Sequence, residues 1–205
     1  LEFRRVLFRS VSRASVSIAE HRWTRLDGAA GPAPDAFRRS GDFTRTAAVS
    51  ATRDATTVEA GIEDLSVMKT SRSAFRGFPR DEYTTLREVD DRILATKVTA
   101  TWRYGDGGAL DHDALHADVL RTLLEVFADH MSLSAQQSIW LMGDAILRRR
   151  PEIEEISMVL PNLHHWIVDF APFGLRNDGE IFVATSEPHG QIEATVDRKS
   201  TRLNS

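Results

Sequence analysis

The chain has 205 residues, 41% of them hydrophobic and 27% charged, with a formal net charge of −4. These values exclude a strongly basic nucleic-acid binder, and no run approaches the ~18 consecutive apolar residues that read as a membrane span. The lack of cysteine removes disulfides, thiolate nucleophiles and cysteine-ligated zinc together, and fits a reducing cytoplasm, which is the expected location.

Residues 1–10, LEFRRVLFRS, lack the continuous apolar region and small-residue cleavage site of a secretory signal. They are expected to be a non-native segment, with an Arg-rich amphipathic transit peptide as the alternative. Residues 14–26, ASVSIAEHRWTRL, alternate over part of their length and predict a strand; FTRTAAVSAT, 43–52, predicts a second. The Gly- and Pro-rich DGAAGPAPDA between them predicts a hairpin with a long loop. From residue 65 the pattern fills out: a strand over LSVMKTSRSAF, a loop over 76–91, then RILATKVTATWRY as a strand rich in β-branched residues.

Two helices follow. Leu115, Val119, Leu123 and Val126 or Phe127 recur at helical spacing and mark one apolar face. In the second helix Ser134 is placed to cap, with Gln137 at the third helical position completing a capping box; Ile139, Met142 and Ile146 face inward until RRRP stops the helix. Arginines there suit the negative end of the helix dipole. Residues 155–170 and 180–196 predict two long closing strands, joined by the turn-rich APFGLRNDG, and the polar RKSTRLNS (198–205) is expected to be a non-native tail. The order ββααββ predicts an α+β fold with helices on one face of an antiparallel sheet. The expected organisation is one complete unit over 61–197, preceded over 11–60 by the last part of a similar unit.

Several residues carry possible chemistry. Arg92 stands at the mouth of an apolar strand, where a solvated rim residue is the ordinary reading. Gln136 occupies the second position of a helix whose first amides and positive dipole end favour an anion. Strand alternation places Asn162, His164, Trp166, Val168 and Phe170 on one pleat face, with Leu163, His165, Ile167 and Asp169 on the other. An amide beside an imidazole can hold a small polar molecule and move its proton. His112 and His116 are four apart, as two zinc ligands would be, but no third ligand is evident nearby and a solvated first helical turn is the better reading. Nucleophile-elbow, phosphate-loop and dinucleotide motifs are absent from the sequence.

VMKTSRSAFRGFPRDEYTTLREVDDRILATKVTATWRY, SAQQSIWLMGDAIL, VLPNLHHWIVDFAPFGL and PHGQIEATV, in that order, resemble the urate oxidase (uricase) family over about residues 14–197. The resemblance implies the tunnelling fold, with ββααββ units in tandem, two per chain, and a homotetramer whose sites lie where subunits meet. It implies oxidation of urate by O2 to 5-hydroxyisourate and hydrogen peroxide, with no cofactor. By the same resemblance Phe75 stacks on the purine, Arg92 grips urate with a fork of two hydrogen bonds, and Gln136 opposes it. The backbone amide of Ala135 contacts the substrate. Asn162 holds oxygen or water over the ring, and His164 belongs to a proton relay. The chain departs from the family's common pattern in carrying Ala135 in place of valine, Leu163 in place of lysine, and Pro32 to Ala36 in place of a histidine-rich turn. The lysine and threonine base of the family belongs to a segment expected ahead of HRWTRL, and no Lys or Thr of residues 11–60 takes that role. The chain is therefore expected to be an N-terminally incomplete, bacterial-like member. A tunnelling-fold enzyme acting on a pterin and a noncatalytic purine-binding or assembly fragment are the alternatives.

Overall fold

A computed structural model of the chain describes residues 11–90, 92–105, 109–185 and 187–199. The segment 1–10 and most of the 198–205 tail lie outside the described residues. One antiparallel sheet runs in the order β1 (Arg13–Gly28), β2 (Gly31–Thr52), β3 (Thr56–Lys69), β4 (Leu94–Tyr104), β5 (Ile153–Asn162) and β8 (Gly190–Asp197). A two-stranded sheet of β6 (His165–Ile167) and β7 (Phe182–Ala184) stands beside it. Between β4 and β5 come α1 (His112–Asp129) and α2 (Ala135–Arg149). From β3 onward the main elements read ββααββ.

β4 shows why this sheet has one dry face. Leu94, Val98, Ala100 and Trp102, two residues apart or multiples of two, are at most 1% exposed, while Lys97 and Thr101 face outward. Against that face lie Leu115, Val119, Leu123 and Phe127 of α1 and Ile139, Met142, Ile146 and Leu147 of α2. α2 lies over β5 and β8, and α1 reaches β3. Arg150 and Arg121 both bind the mostly buried Asp118 carboxylate, and Arg149 bonds Thr122 and Glu125, so Arg149 and Arg150 fasten the end of α2 to α1, while Arg148 pairs with Asp144 of its own helix. Arg198, placed by the sequence in the tail, donates to the Leu147 and Arg150 carbonyls and caps the same helix end.

The expected long loop of the first hairpin is instead strand. β1 and β2 pair through Gly28↔Gly31, leaving Ala29 and Ala30 as a two-residue turn, with Gly31 at φ 116°. Pro32 and Pro34 are tolerated because β2 meets β3 only from Thr44 onward. The distal ribbon has just two strands, so an N–H missing on the side away from β1 leaves no neighbour unpaired. Arg25 donates to the Ala33 and Pro34 carbonyls at 2.7 and 2.6 Å. β3 likewise begins at Thr56, nine residues before the expected strand, because Ala51↔Thr56 pairing continues the ladder. Residues 60 and 61, either side of the expected unit boundary, lie within this unbroken strand. Among the described residues no helix is long and apolar enough to cross a membrane.

Candidate active site

The connection between β3 and β4 makes no regular element, yet its backbone is ordered by two neighbours. Phe75 exchanges both backbone bonds with Val89, at 2.8 and 3.1 Å, and Arg92 N donates to Ser73 O at 3.0 Å. On the other side Ala74 N and Arg76 N donate to the Ser132 and Leu133 carbonyls, and Ser132 N donates to Arg72 O. Residues 72–76 thus form a middle strand-like stretch between Val89 and Arg92 on one side and the α1–α2 connection on the other, odd positions bonding one way and even positions the other. The Arg76–Asp90 ion pair at 2.8 Å and a bond from Gly77 N to Glu88 at 3.0 Å fasten the same loop.

This arrangement brings Phe75 and Arg92 together from 17 positions apart in sequence. The Arg92 guanidinium carbon lies 5.7 Å from the Phe75 ring centroid, and its Nε donates to Ala74 O at 2.9 Å. Its Nη2 is buried and, among the described residues, has no hydrogen-bond partner. Burial pulls the guanidinium below its ordinary pKa, but arginine stays cationic at neutral pH. Phe75 stacks on Phe78 with centroids 4.6 Å apart. A buried charged donor without a partner beside an aromatic plane is costly, and an acceptor there would relieve it. Arg92 is no solvated rim residue.

Ala135 and Gln136 open α2. Ser134 Oγ accepts from Gln137 N at 3.1 Å, while Gln137 Oε1 accepts from Leu133 N at 2.8 Å, one residue before the cap. The reciprocal box predicted from sequence is present with that shift. Ala135 is buried and Gln136 is exposed, so the helix start presents the glutamine outward. Through Leu133 and Ser132 this turn adjoins the stretch that carries Phe75.

Asn162 ends β5, and His164 follows a break rather than continuing one long strand. Leu163 N bonds Ala95 O at 2.9 Å, and Thr185 N bonds His164 O at 2.9 Å, which turns the chain off the main sheet into β6. The Asn162 amide and His164 Nδ1 lie 3.5 Å apart, as the shared pleat face predicts, and His164 stacks on Trp166 at 5.0 Å. Ala95 is three residues from Arg92, so this pair emerges at the same end of the sheet. Among the described residues no hydrogen bond or ring contact joins the Asn162–His164 pair to the Phe75–Arg92 pair.

The family model described as Uricase matches residues 58–193, a span that holds all six of these residues. The chain belongs to the uricase family. It is 48% identical over 169 residues to the uricase of Arthrobacter globiformis and 36% identical over 208 residues to that of Aspergillus flavus. The first alignment covers 82% of this chain and 56% of the relative, the second 95% and 69%. The crystal structure of the Arthrobacter globiformis uricase superposes with a TM-score of 0.86 at 42% identity, over 97% of this chain and 67% of that one. The chain therefore spans a little over half to two thirds of the uricases it matches. Its fold is the α+β tunnelling fold of that family.

Within this uricase-family chain His112 lies in an exposed first turn of α1, as the sequence reading expected, but His116, one turn on, is buried. His116 is 5% exposed, packed near Trp102 and Phe43, with Nε2 3.3 Å from Gly61 O. Burial pushes its pKa down. His112 meets the Tyr104 ring edge-on at 4.8 Å. A sequence window cannot show that the second turn of α1 faces aromatic residues 14 and 73 positions away. Among the described residues no cluster of three His, Asp or Glu side chains could hold a metal ion. Sequence reasoning also missed the polar cluster at the α1–α2 connection, because His130 and Ser138 fit no motif by spacing.

Proposed function

We propose that these residues form the substrate-holding side of a cofactor-independent urate oxidase. The observation that carries this reading is the buried, partnerless Arg92 Nη2 beside the Phe75 ring, which suits a flat anion. Urate at neutral pH is such an anion. Phe75 supplies the platform, Arg92 the charged fork, Gln136 the facing amide, and Ala135 its backbone N–H. Asn162 holds O2 or water above the ring, and His164 exchanges a proton with it. Urate gives two electrons to O2, which takes two protons to become hydrogen peroxide. A water oxygen adds to the purine, giving 5-hydroxyisourate. No group other than urate has to donate electrons, so the protein's tasks are orientation and proton transfer.

The reading extends to a cytoplasmic homotetramer with sites at subunit contacts. In its support, β1 is exposed along its whole length, including Val16, Ile18 and Trp23, each about 60% exposed. Those apolar side chains suit burial against another copy.

A chain completed with a family-like N-terminal segment that carries the lysine and threonine base, treated with a chelator, is expected to consume urate and release peroxide one for one. The loss of urate absorbance and a peroxide assay measure this. Turnover that requires added metal or flavin would overturn the cofactor-free mechanism, and failure to bind urate at all would overturn the substrate assignment.

A further inference from the structure

The α1–α2 connection holds a buried polar chain that none of the roles above uses. His130 caps α1, with Nδ1 2.6 Å from Val126 O and Nε2 2.8 Å from Ser138 Oγ. Ser138 Oγ lies 2.9 Å from Ser132 Oγ, and both serines are completely buried. A carbonyl can only accept, so Nδ1 carries a proton. In the neutral ring Nε2 is then bare and can accept from Ser138, and Ser134 O, 3.1 Å from Ser138 Oγ and 3.2 Å from Ser132 Oγ, is a second acceptor shared by the two hydroxyls. Lys69 donates to the carbonyls of Ala128 and His130, and Arg72 donates to that of Ala128. Burial, with Lys69 and Arg72 as smaller influences, disfavours a charged imidazole, while the Val126 bond acts the other way. Asp129 also faces Lys69.

We propose that His130 is a positioning residue of the urate site, acting through Ser138 and Ser132 to fix Gln136 relative to Phe75 and Arg92. The inference rests on the urate reading for what the site binds. Ser138 stands two positions after Gln136 in α2. At 3.6 residues per turn it therefore points roughly 200° around the helix from it. Tethering Ser138 inward to His130 sets the rotation that leaves Gln136 outward. Ser132, at the other end of this set of bonds, pairs through its backbone with Arg72 and Ala74, within the stretch that carries Phe75. Arg92 is tied to the same stretch at Ser73 and Ala74. The two halves of a urate clamp thus share one buried set of hydrogen bonds.

Two substitutions separate positioning from simple capping. In His130→Asn the amide takes the place of Nδ1 and keeps the Val126 bond but cannot reach Ser138. In His130→Gln the longer side chain reaches Ser138. Urate affinity, measured without oxygen, is expected to weaken about tenfold in H130N and in Ser138→Ala. The double variant H130N/S138A is expected to be no weaker than either, and H130Q to recover to within about twofold of the parent. Amides 132–138 should exchange faster with deuterium in H130N but not in H130Q, and the ring 15N shifts of the parent should show a protonated Nδ1 and a bare Nε2. The exchange and NMR measurements need no urate, so they decide the positioning even if the parent binds none. Unchanged affinity and exchange in H130N and S138A would overturn the proposal. So would equal losses in all three single variants that track their thermal midpoints.

Discussion

At Arg92, burial and charge pull in opposite directions. Moving a guanidinium out of water is costly, and one bond to Ala74 O offsets only part of that, since Nη2 is left without a protein partner. A bound anion would supply the rest, so the residue matters more to the complex than to the fold. Arg92→Ala is expected to weaken urate binding by about 1.5–3 kcal/mol, roughly 10- to 150-fold, with little change in thermal midpoint. Calorimetry under nitrogen and a melting scan measure the two effects. Arg92→Lys keeps the charge but not the planar fork and should recover only a small part of the affinity. An unchanged affinity in the alanine variant would return Arg92 to a structural role. The residue's identity is legible in the sequence, but its buried free nitrogen is not. That depends on a loop held by Val89 on one side and Ser132 on the other.

Among the elements, α2 shows how tightly the helical layer sits on the sheet. A Cβ at Gly143 would come within 2.7 and 2.9 Å of Val196 on β8 and 3.4 Å of Ile156 on β5. Helix propensity favours alanine over glycine by about 1 kcal/mol, while overpacking costs about 1–3 kcal/mol, so the contact should win. Gly143→Ala is expected to lower the thermal midpoint by about 2–4 °C, as a net loss of about 1 kcal/mol does in a domain of this size. Adding Val196→Ala should remove the clash and reverse part of the loss, a coupling expected of side chains in direct contact. A higher midpoint in the single variant would mean that β8 yields freely. The inward face of each helix was readable from apolar spacing alone, whereas the close approach at Gly143 was not. A lone glycine inside a helical pattern carries no sign of what lies opposite.

For the whole molecule, His116 joins three parts of the sheet to α1. Phe43 of β2 and Trp102 of β4 flank its ring, and Gly61 of β3 accepts its hydrogen bond. Burial lowers its pKa most; Arg45 and Arg22 lower it further, while the Gly61 bond and Glu20 raise it. The unfolded chain, with an ordinary histidine value of 6.5, therefore takes up a proton before the folded one does. Stability from this group is fully present above that value and is lost as pH falls through the lower folded value. Denaturant midpoints are expected to decline as pH drops below 6.5, and His116→Gln should flatten that decline without abolishing it, since His130 is shifted the same way. An equally steep decline in His116→Gln would remove this histidine from the acid response.

What the sequence determined by itself was whatever repeats over a short span: the alternation of β4, the apolar stripes of both helices, the Ser134 cap, and the ordered motifs that place the chain among the uricases. Each reports which face of one element leaves water, and neighbouring residues suffice to encode that. Tertiary structure decided whatever depends on a distant partner. The Gly- and Pro-rich segment after Asp27 became strand because β1 lay alongside it, and the expected long strand broke at Leu163 because Ala95 and Thr185 drew its backbone two ways. His116 went dry because Phe43 and Trp102 arrived from elsewhere, and Phe75 met Arg92 only across a loop with no periodicity of its own. Hydrogen bonding and desolvation are settled by the groups that meet in space, and for these residues those groups lie far apart along the chain.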